Sequence, residues 1–225
     1  LRRADLLPPD PLLVFRRMSE MNRRPLNSRD SRWAKTLAAR LAESRVTPNL
    51  ISQASVGFAA LGFLLFWAAS GTSPILQFLC LILAAATVQL RLLCNLLDGM
   101  VAVEGGKSAP TGPFWNEAPD RAADILFLAG AGIAAGCPAL GLAAAALAVA
   151  TAYIRELGRA EGFPPDFSGP MAKPHRMAAL TVGSVIAAFY ATEWTLSVTV
   201  WIIALGTVAT IIRRSHRLLS ALNER

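Results

Sequence analysis

The chain has 225 residues, of which 54% are hydrophobic and 16% are charged, and its mean hydropathy of +0.44 excludes an ordinary soluble domain of this size. Lys and Arg outnumber Asp and Glu by 22 to 15. Because long apolar runs surround these charges, the excess indicates anionic lipid, and not nucleic acid, as the partner. The three cysteines stand singly, without the paired spacing of a zinc site.

The N-terminal part of the chain is predicted to stay outside the bilayer. Residues 1–30 read as a cytoplasmic tail because prolines and charges interrupt every apolar run. Residues 31–46 are predicted to form an interfacial amphipathic helix, since Trp33, Leu37 and Leu41 follow each other at steps of four. The cationic residues near this stripe lie off it: Arg32, Lys35 and Arg40. The alternative is a solvated helix that packs on the protein's own loops.

Six later stretches are apolar enough, or nearly so, to cross a hydrocarbon core of ~30 Å, which takes about 20 helical residues. They lie at about residues 49–70, 74–103, 118–136, 138–158, 177–193 and 196–214. The sequence therefore predicts an all-α integral membrane protein with six transmembrane helices over residues 47–218, followed by a short cytoplasmic tail at 219–225.

The distribution of Lys and Arg predicts which side of the membrane each end faces. The connections near residues 71–73, 136–138 and 193–195 contain no Lys or Arg. The alternate connections and both ends of the chain are rich in them, and cationic loops are retained in the cytoplasm. We therefore expect a multi-pass protein of a bacterial-type inner or cell membrane, with both termini in the cytoplasm.

Polar side chains recur at helical spacing on both sides of the loop that follows the second stretch. The spacing puts the members of each group on one face of their helix, and both faces border the loop between the two helices. These two groups are Asn95, Asp98 and Ala102, and Asn116, Asp120 and Asp124. Oxygen ligands from two adjoining helix ends can hold a hard divalent cation, and Mg²⁺ (or Mn²⁺) is the usual one where phosphate is bound. The alternative is that these acids cap helix ends or lie on the surface.

Residues 95–120 match a known motif spacing without a gap. The signature D-x2-D-G-x2-A-R-x8-G-x3-D-x3-D of the CDP-alcohol phosphotransferases aligns with Asn95, Asp98, Gly99, Ala102, Val103, Gly112, Asn116 and Asp120. The six predicted spans, the amphipathic helix and the entry Thr47-Pro48-Asn49 also resemble this family. The chain is therefore identified by resemblance as a relative of these enzymes, which make phospholipid headgroups.

The resemblance implies an activity. A hydroxyl of an alcohol acceptor attacks the β-phosphorus of a CDP-linked donor, with CDP-diacylglycerol the leading candidate, and CMP leaves. By the same resemblance Asp98 and Asp120 are catalytic, with Asp120 the general base. The active site is expected to face the cytoplasm. The implied metal ligands are Asn95, Asp98, Asn116, Asp120 and Asp124. The implied nucleotide contacts are Asp98, Gly99, Ala102, Gly112 and Asn49. The resemblance also implies a homodimer. Either of two sets of small residues would support it through close packing: Gly130, Gly132, Ala134 and Ala135, or the alanine run 143–146.

Three positions depart from the motif. Asn95 and Asn116 replace aspartates, which keeps oxygen ligands but removes two negative charges. Val103 replaces the arginine that would help to bind the CDP phosphates. Cations expected to bind phosphate or acceptor in its place, or beside it, are Arg91, Lys107, Arg121, Arg155, Lys173 and Arg176. Acids that could compensate for the lost charges are Glu104, Glu117 and Asp124.

Two other functions fit parts of the sequence. A catalytically impaired relative that serves as a lipid-binding or nucleotide-binding membrane scaffold would account for Asn95, Asn116 and Val103. A transporter would account for six helices, but the sequence has no internal repeat and no acid in the middle of a span. The alcohol acceptor is not defined by the sequence, although the basic residues favour an anionic or phosphorylated one.

Overall fold

The computed structural model describes residues 31–103, 106–107 and 110–225, and within them it contains seven α-helices and no β-strand. The predicted tail 1–30 and Glu104 lie outside the described residues. In chain order the helices are α1 (Arg32–Glu43), α2 (Pro48–Ala69), α3 (Pro74–Val103), α4 (Gly112–Ala134), α5 (Pro138–Ala160), α6 (Lys173–Phe189) and α7 (Thr192–Asn223). The all-helical fold predicted from the sequence is confirmed for these residues.

Helix starts follow the local sequence. Proline occupies the first or second position of α2, α4, α5 and α6, where its missing N–H costs no intrahelical hydrogen bond. The Leu50 N–H donates to Thr47 Oγ1 at 3.2 Å, so Thr47 caps α2. The predicted bounds were wrong for three helices. α4 begins at Gly112 and not near 118, α6 runs from Lys173 to Phe189 and not over 177–193, and α7 continues beyond 214 to Asn223.

In the described part of the chain, four helices are long and apolar enough to cross a membrane: α2, α3, α5 and α7. The other two candidates fall short for different reasons. α6 has only 17 residues, and the first half of α4 carries Glu117, Asp120, Arg121 and Asp124. Several apolar helices thus support a multi-pass membrane protein.

The helices pack as an antiparallel bundle. α2 contacts α3 and α4, α5 contacts α4 and α7, and α6 contacts α3 and α7. The core consists of aliphatic and aromatic side chains that include Phe66, Leu81 and Phe127. Because consecutive helices alternate in direction, the starts of α2, α4 and α6 lie at the same end of the bundle as the ends of α3, α5 and α7.

Small residues on α4 bring helices of the same chain together. A Cβ added at Gly132 would lie 2.6 Å from Gly141 Cα on α5, and one at Gly130 would lie 3.1 Å from Phe63 Cα on α2. Gly130, Gly132 and Ala134 are buried within the chain. The expectation that they form a dimer surface is wrong, because close packing between α4 and its own neighbours already uses them.

α1 forms where an amphipathic helix was predicted, but its contacts differ from the predicted stripe. Ala34 and Ala38 are buried against the end of α3. Leu37 and Leu41 pack beside them, whereas Trp33 is 54% exposed. One flank of α1 therefore rests on the protein itself, and Trp33 remains accessible to a membrane interface.

Candidate active site

Charged side chains are buried at one end of the bundle. Asp98 near the end of α3 and Asp120 in α4 are 6% and 8% exposed. Four cationic side chains beside them are also buried: Arg91, Arg155, Lys173 and Arg176. Buried charges are costly unless they are paired, and five of these six charges are paired with an oppositely charged side chain.

The first part of the site, here called the Asp98 half, consists of Ser52, Asp98 and Gly99. Ser52 Oγ donates to Asp98 Oδ2 at 2.7 Å, and the Gly99 N–H donates to Asp98 Oδ1 at 2.6 Å. Both partners are neutral donors. Ser52 is not among the predicted site residues, although it lies three residues after Asn49 and so shares a helical face with that residue.

The second part, here called the Asp120 half, consists of Arg91, Asn95, Asp120 and Lys173. Arg91 Nη2 pairs with Asp120 Oδ1, and Lys173 Nζ pairs with Asp120 Oδ2. Lys173 Nζ also donates to Asn95 Oδ1 at 2.9 Å, and Asn95 Nδ2 donates to Asp120 Oδ1 at 3.3 Å. Two cations from different helices thus hold a single carboxylate.

A third acid of the predicted metal set is also paired. Arg176 Nη2 donates to Asp124 Oδ2 at 2.8 Å, and Arg176 Nη1 donates to the Met171 carbonyl at 3.0 Å. Arg121 Nη1 lies 3.9 Å from Asp124 Oδ2. Because α4 begins at Gly112, Asp120 and Asp124 lie in the body of the helix, which excludes the interpretation that they cap its first turn.

A rim of ion pairs lies beside these acids. Glu117 Oε2 accepts from Arg121 Nη2 and from Arg155 Nη2. Arg155 Nη2 is also 2.8 Å from Glu156 Oε1. The Arg155 guanidinium carbon lies 5.3 Å from the centre of the Phe167 ring, within the range of a cation–π contact.

Other predicted site residues make contacts elsewhere. Asn49 Nδ2 donates to Thr111 Oγ1 at 3.0 Å, which ties the start of α2 to the start of α4. Lys107 Nζ donates to the Ser44 carbonyl at 2.6 Å and therefore holds the end of α1. Asn116 is exposed, and its Nδ2 lies 3.5 Å from Glu117 Oε1. Ala102 is partly buried, and nothing lies within 4 Å of a Cβ added at Gly112.

The loop 161–172 that leads to Lys173 is docked on α7. Arg214 donates to the Ser168 carbonyl at 2.9 Å and to the Thr151 carbonyl at 2.8 Å. Gly169 has a φ of +128°, and a Cβ there would lie 2.4 Å from Thr210 Cγ2. These contacts fix the start of α6. The two carbonyl partners of Arg214 are 46 and 63 residues away along the chain, so no local pattern indicates this role.

The same loop contains an acid with a shifted pKa. Partial burial raises the pKa of Asp166, but hydrogen bonds from the Ser168 hydroxyl and amide, together with Arg214 and Arg217, outweigh it, so that the net shift is downward. The Ser168 N–H donates to Asp166 Oδ1 at 2.8 Å. Asp166 is therefore held as a carboxylate in the folded protein.

Comparison with known proteins extends over most of the chain. A phosphatidylinositol phosphate synthase of Mycolicibacterium smegmatis is 28% identical over 183 residues, which covers 76% of this chain and 77% of the relative. The crystal structure of Mycobacterium tuberculosis phosphatidylinositol phosphate synthase with CDP-DAG bound has a TM-score of 0.70 at 23% identity, and covers 84% of this chain and 94% of that chain. This chain has the fold of a phosphatidylinositol phosphate synthase.

A second structure of the tuberculosis phosphatidylinositol phosphate synthase, in complex with manganese and citrate, has a TM-score of 0.68 at 23% identity and covers 83% of this chain and 88% of that chain. No family model matches the chain. The resemblance to the CDP-alcohol phosphotransferases that the motif predicted is confirmed by these synthases.

The residues fit one divalent cation and do not fit a second. Within the described parts of the chain no group of three or more His, Cys, Asp or Glu side chains could hold a metal ion. Mg²⁺ often uses only one or two carboxylates together with water and substrate phosphates, and Asp98, whose partners are neutral, meets that need. At Asp120 both oxygens carry side-chain cations, and Asp124 is paired with Arg176. The prediction that Asn95, Asp120 and Asp124 complete a metal shell therefore does not fit this arrangement.

Proposed function

We propose that this protein transfers a phosphatidyl group from CDP-diacylglycerol to the hydroxyl of an alcohol acceptor and releases CMP, as a step of phospholipid synthesis. The observation that carries the proposal is the buried cluster of motif acids and cations at one end of the bundle. The similarity to phosphatidylinositol phosphate synthases, of which one was crystallised with CDP-DAG, supports this donor.

The chain's own residues account for the proton and for the charge of the donor. The acceptor oxygen bonds to the β-phosphorus of the donor, the bond from that phosphorus to the bridging oxygen of CMP breaks, and Asp120 takes the hydroxyl proton. A carboxylate acts as general base only when it is ionised, and Arg91 and Lys173 favour that form. The surrounding cations attract the diphosphate and neutralise charge that develops on it.

A divalent cation has one place in this proposal. The manganese complex of the tuberculosis synthase supports a divalent metal, and Asp98 would hold Mg²⁺ or Mn²⁺, with the exposed Asn116 amide as a further oxygen ligand. When bound, such an ion supplies additional neutralisation of the diphosphate.

The nucleotide is proposed to lie along the end of α3. Gly99 and Ala102 are the small residues there, and Asp98 lies on the same turn. Open space beside Gly112 at the start of α4 leaves room for the cytosine base of the nucleotide. The contact of Asn49 with Thr111 places α2 beside this opening.

The acceptor is proposed to be a phosphorylated alcohol. The relatives are named for the synthesis of phosphatidylinositol phosphate. Arg155, Lys173 and Arg176 are buried beside the motif acids and Arg121 is partly buried. Guanidinium groups bind phosphate through paired hydrogen bonds, so these cations would recognise a phosphate on the acceptor.

For the membrane arrangement we propose six spans over residues 47–218, with α4 and α6 joining the four apolar helices, both termini in the cytoplasm, and α1 at the interface within 31–46. The chain is also proposed to form a homodimer, as the resemblance implies. Cysteine labelling at position 107 tests the topology. Reaction with an impermeant reagent from the exterior face would contradict it, and a monomeric mass in several detergents and in nanodiscs would contradict the dimer.

A non-catalytic scaffold remains the second candidate, and the pairing of Asp120 with two cations favours it, because a neutralised carboxylate is a weaker base. Purified protein incubated with CDP-diacylglycerol and a panel of phosphorylated and plain alcohols distinguishes the two. Release of CMP with one acceptor supports the transferase. Binding of CDP-diacylglycerol without release of CMP, across the whole panel and at saturating Mg²⁺ or Mn²⁺, would replace it with the scaffold.

A further inference from the structure

We propose that the side-chain cations of Lys173 and Arg91 take the place of a divalent metal ion in the Asp120 half, so that the chain binds at most one such ion. The role of these two cations in catalysis rests on the proposed function, but their replacement of a metal ion does not.

The geometry of Lys173 is that of a bridging cation. Its Nζ contacts Asn95 Oδ1 at 2.9 Å and is paired with Asp120 Oδ2, and it thereby joins the oxygens of two helices as a shared metal ion would. Arg91 holds the other oxygen of Asp120. Lys173 is 5% exposed and Arg91 is fully buried, so both cations are held away from solvent.

The amide at position 95 suits an ammonium better than a metal ion. Asn95 accepts from Lys173 through Oδ1 and donates to Asp120 through Nδ2. A carboxylate at 95 could accept from the lysine, but it would face Asp120 with a second negative charge in a buried place. The exchange of acid for amide and the presence of the lysine are therefore two parts of one arrangement.

The charge of the whole site points the same way. Its buried part contains four cationic side chains and three carboxylates. They are Arg91, Arg155, Lys173 and Arg176, against Asp98, Asp120 and Asp124. Each metal ion would add two charges to a site that is already positive by one, and burial makes such an imbalance costly.

The unsatisfied groups also indicate which charge the site accepts. Among the described residues three buried guanidinium nitrogens have no hydrogen-bond partner, namely Nε and Nη1 of Arg91 and Nε of Arg176. One buried carboxylate oxygen, Asp124 Oδ1, also has no hydrogen-bond partner. The surplus is of donors, and donors are satisfied by an anion or by water and not by a further cation.

The number of bound ions tests this inference. Mn²⁺ is titrated into the purified full-length protein in nanodiscs, with no nucleotide, and free Mn²⁺ is measured by electron paramagnetic resonance. We expect no more than one Mn²⁺ per chain. In the double variant Asn95→Asp with Lys173→Met, which restores the acid and removes the ammonium, we expect one additional ion. Lys35→Met, which removes an exposed lysine of α1, is the control and should match the native count.

Two Mn²⁺ per native chain would overturn the inference, and so would a folded double variant that gains no ion. Thermal unfolding of the double variant shows whether it is folded. If it is not, the native count decides alone, with one ion or none in favour and two against. Neither measurement uses turnover, so a failure to release CMP would contradict the proposed function and leave this result standing.

Discussion

Asp98 and Asp120 come from one motif and lie almost equally buried, yet their surroundings differ. The Asp98 half offers a hydroxyl and a backbone amide, both neutral. The Asp120 half offers a guanidinium and an ammonium. Neutral donors leave the Asp98 carboxylate its full charge for a metal ion. Arg91 and Lys173 already neutralise the Asp120 carboxylate. The comparison teaches that the chemical role of a motif acid is set by the residues that other helices bring to it.

The largest effect is expected for Asp120→Ala, which leaves Arg91 and Lys173 buried without their shared partner. Removing one partner of a buried ion pair costs about 3–5 kcal/mol, and loss of a general base costs about 10²-fold or more in rate. We expect CMP release to be lost and the denaturation midpoint to fall. Unfolding of the variant in detergent, together with the CMP assay, measures both.

Retention of the native unfolding midpoint in Asp120→Ala would contradict the pairing of the Asp120 half. Glu224→Gln, which alters an exposed acid at the far end of α7, is the control and should change neither quantity.

Asp98→Ala is expected to give a comparable loss of CMP release with a smaller loss of stability. It removes the acceptor of two neutral donors, Ser52 and Gly99, which costs about 1–3 kcal/mol. It also removes the carboxylate assigned to the metal ion, for which a loss of about 10²-fold in rate is common. Mn²⁺ titration of this variant should show no bound ion. An unchanged Mn²⁺ affinity would remove the distinction between the two halves.

Restoring both acids, in Asn95→Asp with Asn116→Asp, is expected to reduce CMP release several-fold while Lys173 is present. The new carboxylate at 95 loses the hydrogen bond from Nδ2 to Asp120 and repels that residue. The assay uses saturating Mg²⁺ and the best acceptor of the panel. A several-fold rise in CMP release would show that the amides are a loss of function and not an adaptation of this site.

The smallest effect is expected for Asp166→Asn, in the loop that leads to Lys173. Because the pKa of Asp166 is lower in the folded protein than its unfolded value of about 3.9, its stabilisation is present above that value and is lost as the pH falls through the folded pKa. The pair with Arg217 is partly exposed, so the variant should lose at most about 1 kcal/mol at pH 7. The difference from the native protein should vanish in strong acid.

Unfolding curves at pH 7 and at pH 2 measure this difference. A loss of several kcal/mol in Asp166→Asn at pH 7 would contradict the small contribution expected of this partly exposed pair.

The sequence by itself determined the helical class, the order of the helices and the face on which Asn95 and Asp98 lie, because these depend on local composition and on the 3.6-residue period. It placed the start of α4 near 118, although the helix begins at Gly112. Proline at 113 marks the true start.

Only the tertiary structure decided what the motif acids contact. Ser52 is 46 residues from Asp98 along the chain, and Lys173 is 78 residues from Asn95, so no local pattern relates them. The sequence assigned Lys173 and Arg91 to phosphate binding because their type and charge allowed it. Packing of α6 against α3 brings Lys173 beside Arg91 and Asp120. Because burying unpaired charge is costly, both cations pair with the Asp120 carboxylate.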